Sequence, residues 1–221
     1  MEIMYKCCVF DLDGTIADTI NTIAYYCNRT LEHFGLPSID TEKYKYLVGN
    51  GYKVLVHGML KEVGASDKLF SELAPYYHDL YETDSLYLTK PFDGMAELLV
   101  ALKSHGLKLA VLSNKPHGAV VPVAEKLYGK GTFDLCYGFR EGVPLKPDPA
   151  MLNNILKDFG AKPSECIYVG DTSTDMKTGK AAGTLTVGVL WGFREKDELQ
   201  SSGADIIVSK PSEILKLIES V

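Results

Sequence analysis

What this 221-residue sequence lacks narrows its function before any motif is read. It has no apolar run near the roughly eighteen residues a membrane span needs, so no membrane partner is expected. Its opening, Met1-Glu2-Ile3-Met4-Tyr5-Lys6, has no basic stretch followed by a long apolar core, and no export leader is expected. It has no excess of positive charge: 23 Lys and Arg stand against 29 Asp and Glu, a formal net charge of -6. A phosphate backbone needs a basic footprint, which argues against nucleic acid as the main partner. The five cysteines (Cys7, Cys8, Cys27, Cys136 and Cys166) are odd in number and contain no C-x-x-C pair. That argues against a disulfide framework or a zinc site and for a reduced, cytoplasmic protein. The five histidines, His33, His57, His78, His105 and His117, have no metal-ligand spacing.

What is present is an alternation. Cys7-Cys8-Val9-Phe10 runs into Asp11, Leu109-Ala110-Val111-Leu112 into Ser113-Asn114-Lys115, and Ile167-Tyr168-Val169-Gly170 into Asp171. Short continuous apolar runs suit strands buried on both faces of a parallel sheet. Further strands are expected at Leu185–Val189 and Ile206–Val208. Helical patterns at Met95–Lys103 and Ala150–Lys157 are each closed by a glycine, Gly106 and Gly160, and a last helix is expected from about Ser212. This predicts an α/β fold with a Rossmann-like parallel sheet. Ligands of such sheets bind beyond the carboxyl ends of the strands, so the polar residues that end the three runs should converge. From Thr19 to Thr83 the alternation stops. Helices are predicted over 20–33, 52–62 and 67–81, a tyrosine-rich stretch without strand candidates. The expected division is a discontinuous core, residues 1–17 and 86–221, with an inserted α-helical cap domain, residues 18–85.

The chemistry-bearing residues lie at the strand ends. In Asp11-Leu12-Asp13-Gly14-Thr15 two carboxylates sit two residues apart before a turn-forming glycine. A surface Asp-Gly turn gives the same residues. A calcium loop does not fit, because its sixth and twelfth positions would be Ile16 and Thr22 rather than Gly and Glu. In Gly170-Asp171-Thr172-Ser173-Thr174-Asp175 two more carboxylates follow a strand; an acid in the first turn of a helix is also favoured by the helix dipole. Four carboxylates on one sheet edge require a cation, and an all-oxygen donor set favours Mg2+ over zinc. Ser113 and the backbone at Asn114 are suited to phosphate oxygens, although taken alone they fit an ordinary polar turn or N-cap better. Lys146 lies in Leu145-Lys146-Pro147-Asp148-Pro149, where flanking prolines stiffen the segment.

Taken in order, D-x-D-G-T, the Ser at the second strand end, Lys before Pro-Asp, and G-D-x-x-x-D resemble the haloacid dehalogenase (HAD) superfamily, in its helical-cap (C1) subgroup. The resemblance covers essentially the whole chain. Val48–Leu55, with Gly49 and Gly51, and Lys146–Pro149 are most similar to the phosphoglycolate phosphatase-like group. The resemblance implies a Mg2+-dependent phosphoric monoester hydrolase acting on a small phosphorylated metabolite. It makes Asp11 the nucleophile that forms an aspartyl-phosphate, and Asp13 the acid and base. Asp11, the Asp13 carbonyl and Asp171 would hold the metal, with Asp175 orienting them. Ser113, Asn114 and Lys146 would hold the phosphoryl group. Gly49, Asn50, Gly51 and Lys53 of the cap are candidates for substrate contact. Asp13 must be protonated when the leaving group departs, which desolvation on cap closure would assist. A dehalogenase needs neither Asp13 nor a metal shell and fits less well. A phosphomutase of the β-phosphoglucomutase type, or a pyrophosphate or nucleotide phosphatase, would share every core motif. A non-catalytic phospho-ligand binder would not need Asp11 and Asp13.

Overall fold

The computed structural model describes residues 4–219. Met1–Ile3, half of the opening stretch read above, and the last two residues of the expected C-terminal helix lie outside the described residues. The strands are β1 (Cys7–Phe10), β2 (Ala17–Asp18), β3 (Lys90–Pro91), β4 (Lys108–Pro116), β5 (Leu135–Phe139), β6 (Cys166–Gly170), β7 (Leu185–Val189) and β8 (Ile206–Val208). The helices are α1 (Ile20–His33), α2 (Thr41–Leu47), α3 (Tyr52–Glu62), α4 (Phe70–Thr83), α5 (Met95–Ser104), α6 (His117–Tyr128), α7 (Ala150–Phe159), α8 (Ser173–Ala182), α9 (Lys196–Ser201) and α10 (Ser212–Glu219).

Six strands form one parallel sheet in the order β5-β4-β1-β6-β7-β8. β1 is central because its four residues are apolar and wholly buried, which only a strand covered on both faces satisfies. Successive side chains leave a strand on opposite faces. Cys8 and Phe10 pack with Met95, Leu98 and Leu102 of α5 and with Val120 and Val123 of α6. Cys7 and Val9 pack with Leu152, Ile155 and Phe159 of α7. The Rossmann-like expectation holds, with helices on both faces of the sheet.

The structure adds elements that the sequence expectation lacks, among them α2, α6, α9 and the short β2 and β3. β5 was not foreseen; it is an edge strand, half-buried along most of its length, and so lacks the unbroken apolar signature of a central strand. The helix expected over 67–81 begins instead as a short 3-10 turn, Asp67–Leu69, before α4. The helical segment has its own apolar cluster: Ile23, Cys27, Leu31, Tyr44, Val56, Met59, Leu73 and Tyr77 are buried together, joined by Ala119 and Phe193 from the sheet-bearing part. The chain enters this segment beside β2 and leaves it before β3, and the two short strands pair antiparallel.

Candidate active site

The register explains why residues 160 positions apart meet. Phe10 of β1 lies opposite Val169 of β6 and Val111 of β4, all parallel. Asp11 follows β1, Asp171 follows β6, and Ser113 lies near the end of β4, all at the same sheet edge. The Asp11 N–H donates to the Val169 carbonyl at 2.9 Å, which extends the pairing by one residue and fixes Asp11 at the rim.

Asp11, Asp171 and Asp175 each bring a carboxylate oxygen within 4.8 Å of the others, and all three are buried. Lys146 sits among them. Its ammonium donates to Asp11 Oδ1 at 2.6 Å, to Asp175 Oδ1 at 2.7 Å and to the Leu112 carbonyl at 3.1 Å, which uses all three N–H groups. Asp175 is both cap and ligand candidate. Its backbone N–H bonds Thr172 at the start of α8, its Oδ2 accepts from the Thr172 hydroxyl at 2.6 Å and N–H at 3.1 Å, and its Oδ1 also accepts from Tyr168 at 3.0 Å. Asp171 accepts from Thr15 Oγ1 at 3.1 Å and from the Phe193 N–H at 2.8 Å. Glycine is required beside it: a Cβ on Gly14, whose φ is +88°, would stand 2.2 Å from Asp171 Oδ2, and one on Gly192 would stand 2.3 Å from its Cβ.

One ammonium faces three carboxylates. Burial pushes Asp11 up to about 7, with Lys146 pulling it down and Asp175 raising it further. Burial, then Asp175 and Asp11, raise Asp171 well above the ordinary carboxylate range, against the hydrogen bonds from Phe193 and Thr15. Such a buried excess of negative charge, made of carboxylate oxygens alone, fits a hard divalent cation.

The other expected residues divide. The side chain of Asp13 is not part of the carboxylate cluster; it pairs with Lys115 Nζ at 2.9 Å. Asp11, Asp13, Ser113, Asn114, Gly49 and Gly51 line one cavity between the sheet edge and the helical segment. Asn114 is a brace: its amide donates to the carbonyls of Gly49 and Lys146, both at 3.0 Å, and accepts from the Lys146 N–H at 2.9 Å. Asn50 turns from the cavity and accepts from Thr174 Oγ1 at 2.8 Å, so it fastens the two walls together. Lys53 is exposed and borders a separate outer groove. Sequence reasoning assigned no role to Lys115, although it directly follows Ser113-Asn114. It also missed Tyr81 and Arg194. Arg194 donates to the Lys45 carbonyl and, at 3.1 Å, to the Val48 carbonyl, pinning the loop before α3. Nothing in local sequence marks Tyr81 or Arg194, because the contacts that tie them to the site, Lys115 for Tyr81 and the Lys45 and Val48 carbonyls for Arg194, lie at least 34 residues away.

The family model of haloacid dehalogenase-like hydrolases matches residues 8–189. A phosphoglycolate phosphatase of Aquifex aeolicus is 34% identical over 212 residues, covering 96% of each chain. An N-acetylmuramic acid 6-phosphate phosphatase of Pseudomonas putida is 30% identical over 215 residues, 96% of this chain and 95% of its own. A crystal structure from Lactobacillus delbrueckii subsp. bulgaricus, provisionally assigned as a phosphoglycolate phosphatase, superposes with a TM-score of 0.90 at 30% identity, covering 97% and 98% of the two chains. Buried carboxylates at the ends of two central parallel strands, braced by a lysine and matched over most of the sequence, place this chain in the haloacid dehalogenase-like hydrolase family.

Proposed function

We propose that this protein is a Mg2+-dependent phosphatase that hydrolyses a small phosphomonoester, phosphoglycolate or a close analogue, through an aspartyl-phosphate on Asp11. The carrying observation is the convergence of Asp11, Asp171, Asp175 and Lys146, with Asp11 lining a cavity together with Asp13 and Ser113. Asp11, the Asp13 carbonyl and Asp171, oriented by Asp175, would hold the Mg2+. Bound there, it would offset the repulsion between the carboxylates and an anionic phosphate, which at 4 Å costs about 4 kcal/mol per pair of unit charges at an effective dielectric of 20.

Asp11 attacks phosphorus in line, and its carboxylate oxygen–phosphorus bond, an acyl phosphate, forms as the bond to the leaving oxygen breaks. Lys146 holds Asp11 by a 2.6 Å hydrogen bond, which aims the carboxylate. Ser113 and the Asn114 backbone hold phosphoryl oxygens. Asp13 gives its proton to the leaving oxygen and later takes one from the water that hydrolyses the aspartyl-phosphate. The helical segment, residues 18–85, acts as a cap that excludes bulk water.

The test is phosphate release from a panel of phosphorylated metabolites, with and without Mg2+. Small esters should be cleaved in a metal-dependent way, and Asp11→Asn should abolish release while the protein stays folded. Equal turnover after exhaustive chelation would overturn the proposal.

A further inference from the structure

Away from Asp11 the cavity wall is mostly apolar, with Ile23, Val48, Leu55 and Tyr77 contributing side chains. Lys115 is the one lysine among the residues that line it, and no step above uses it. Its side chain is only 4% exposed. Its ammonium donates to Asp13 Oδ1 at 2.9 Å and Oδ2 at 3.3 Å, and to the Tyr81 hydroxyl at 2.6 Å. An ammonium has three N–H groups. Its three bonds run to the two Asp13 oxygens and the Tyr81 hydroxyl, and the long one, to Asp13 Oδ2 at 3.3 Å, is the one a ligand oxygen would replace. Tyr81 accepts from Lys115 through its oxygen and keeps its own proton; no acceptor for that proton occurs among the described residues. Burial raises the Tyr81 hydroxyl to about 12, so the proton stays in place at neutral pH.

Two donors, one of them charged, thus border a small cavity beside Asp13. We propose that Lys115 and Tyr81 are the specificity-determining pair of this enzyme, taking a carboxylate carried by the leaving group. Their place fixes the length of the substrate. Lys115 lies within hydrogen-bond distance of Asp13, the residue assigned to the leaving oxygen, so the anionic group must sit one or two carbons from that oxygen. A buried ammonium also recognises charge strongly, because little water competes with the ligand. Tyr81 lies on α4 and Lys115 on β4, so a carboxylate held by both also bridges the helical segment to the sheet edge. The inference rests on the phosphatase reading and adds to it the residues that select the substrate.

The experiment compares phosphoglycolate with 2-hydroxyethyl phosphate, which replaces the carboxylate by a neutral alcohol, in the presence of Mg2+. Wild-type kcat/KM should favour the acid by roughly 100-fold, and Lys115→Met should shrink that ratio by about 10- to 100-fold, the range of one charge-assisted hydrogen bond. Tyr81→Phe should shrink it by about 5-fold, as for one neutral hydrogen bond. Lys115→Met that slows both esters by the same factor would make Lys115 a positioning residue for Asp13 and overturn the proposal. Wild-type enzyme that cleaves both esters equally would overturn it while leaving the phosphatase reading intact. Wild-type enzyme that cleaves no phosphomonoester would overturn both. If Lys115→Met does not fold, product inhibition of the wild type decides. Glycolate should inhibit at concentrations at least about tenfold below those of ethylene glycol, and equal inhibition would overturn the proposal.

Discussion

The sheet edge and the helical wall of the cavity treat their polar groups differently. At the sheet edge Asp11, Asp171, Asp175 and Lys146 are buried, and each is held by at least one hydrogen bond from a distant part of the chain. The helical wall offers Ile23, Leu55 and Tyr77, with Tyr81 as its buried polar contact to Lys115. A site held by interlocked charges is fixed in geometry, as covalent chemistry at phosphorus demands. A wall held by apolar packing and a few hydrogen bonds can separate and reseat, as substrate entry demands. The fasteners between the walls are few and specific: Asn50 to Thr174, Asn114 to Gly49, and Arg194 to the Val48 carbonyl.

Substitutions that remove a charge from the sheet edge should show the largest effects. Asp11→Asn should lower kcat by roughly 10⁴-fold or more, as expected when a covalent nucleophile is lost, while circular dichroism shows the fold retained. Next comes Lys146→Met, which leaves two buried carboxylates, Asp11 and Asp175, without their ammonium. Removing one partner of a buried ion pair costs about 3–5 kcal/mol, so the melting temperature should fall by roughly 10 °C in a protein of this size. A change of less than about 2 °C would mean that the sheet edge is less tightly interlocked than its distances indicate.

The same charges set a pH dependence. Asp11 is raised to about 7 in the folded protein and Asp171 is raised well above the carboxylate range. Such groups bind more protons folded than unfolded. Their contribution to stability is therefore complete below about pH 4, the unfolded value; that of Asp11 is lost as pH rises through about 7, and that of Asp171 is lost in the same direction. The metal-free protein should melt several degrees higher at pH 5 than at pH 8, and Mg2+ should restore most of the difference by binding the folded state alone. A melting temperature that rises with pH in the metal-free protein would contradict this. The smallest effect belongs to the fasteners. Asn50→Ala should raise KM by about 3- to 10-fold, the worth of one hydrogen bond, with little change in melting temperature. An equal loss in kcat would mean that Asn50 does more than seat the helical wall.

The sheet edge was far more legible in sequence than the helical wall. Cys7–Phe10 into Asp11 and Ile167–Gly170 into Asp171 announce buried strands with acids at their ends, because such strands are apolar without interruption. Parallel pairing then brings those ends together without further information. Ile20–His33 and Tyr52–Glu62 were equally readable, since periodicity marks a helix. Which helical face meets the site is another matter. It depends on tertiary packing, so Tyr81 looked like one tyrosine among many and Asn50 and Lys53 looked like equal candidates for substrate contact. β5 escaped because an edge strand is only half buried. Spacing alone does not separate Asp11 from Asp13 in D-x-D, and their different roles came only from the family resemblance; in the structure a two-residue step around the Gly14 turn sends one carboxylate to Lys146 and the other to Lys115.

Everything rests on Asp11 being the atom donor that bonds to phosphorus. Acid-quenching the enzyme during turnover of phosphoglycolate with Mg2+, followed by peptide mapping by mass spectrometry, tests this directly. The account predicts a phosphoryl group on Asp11 that disappears once substrate is exhausted and never forms in Asp11→Asn. A phosphoryl group on another residue, or undiminished phosphate release by Asp11→Asn, would contradict it.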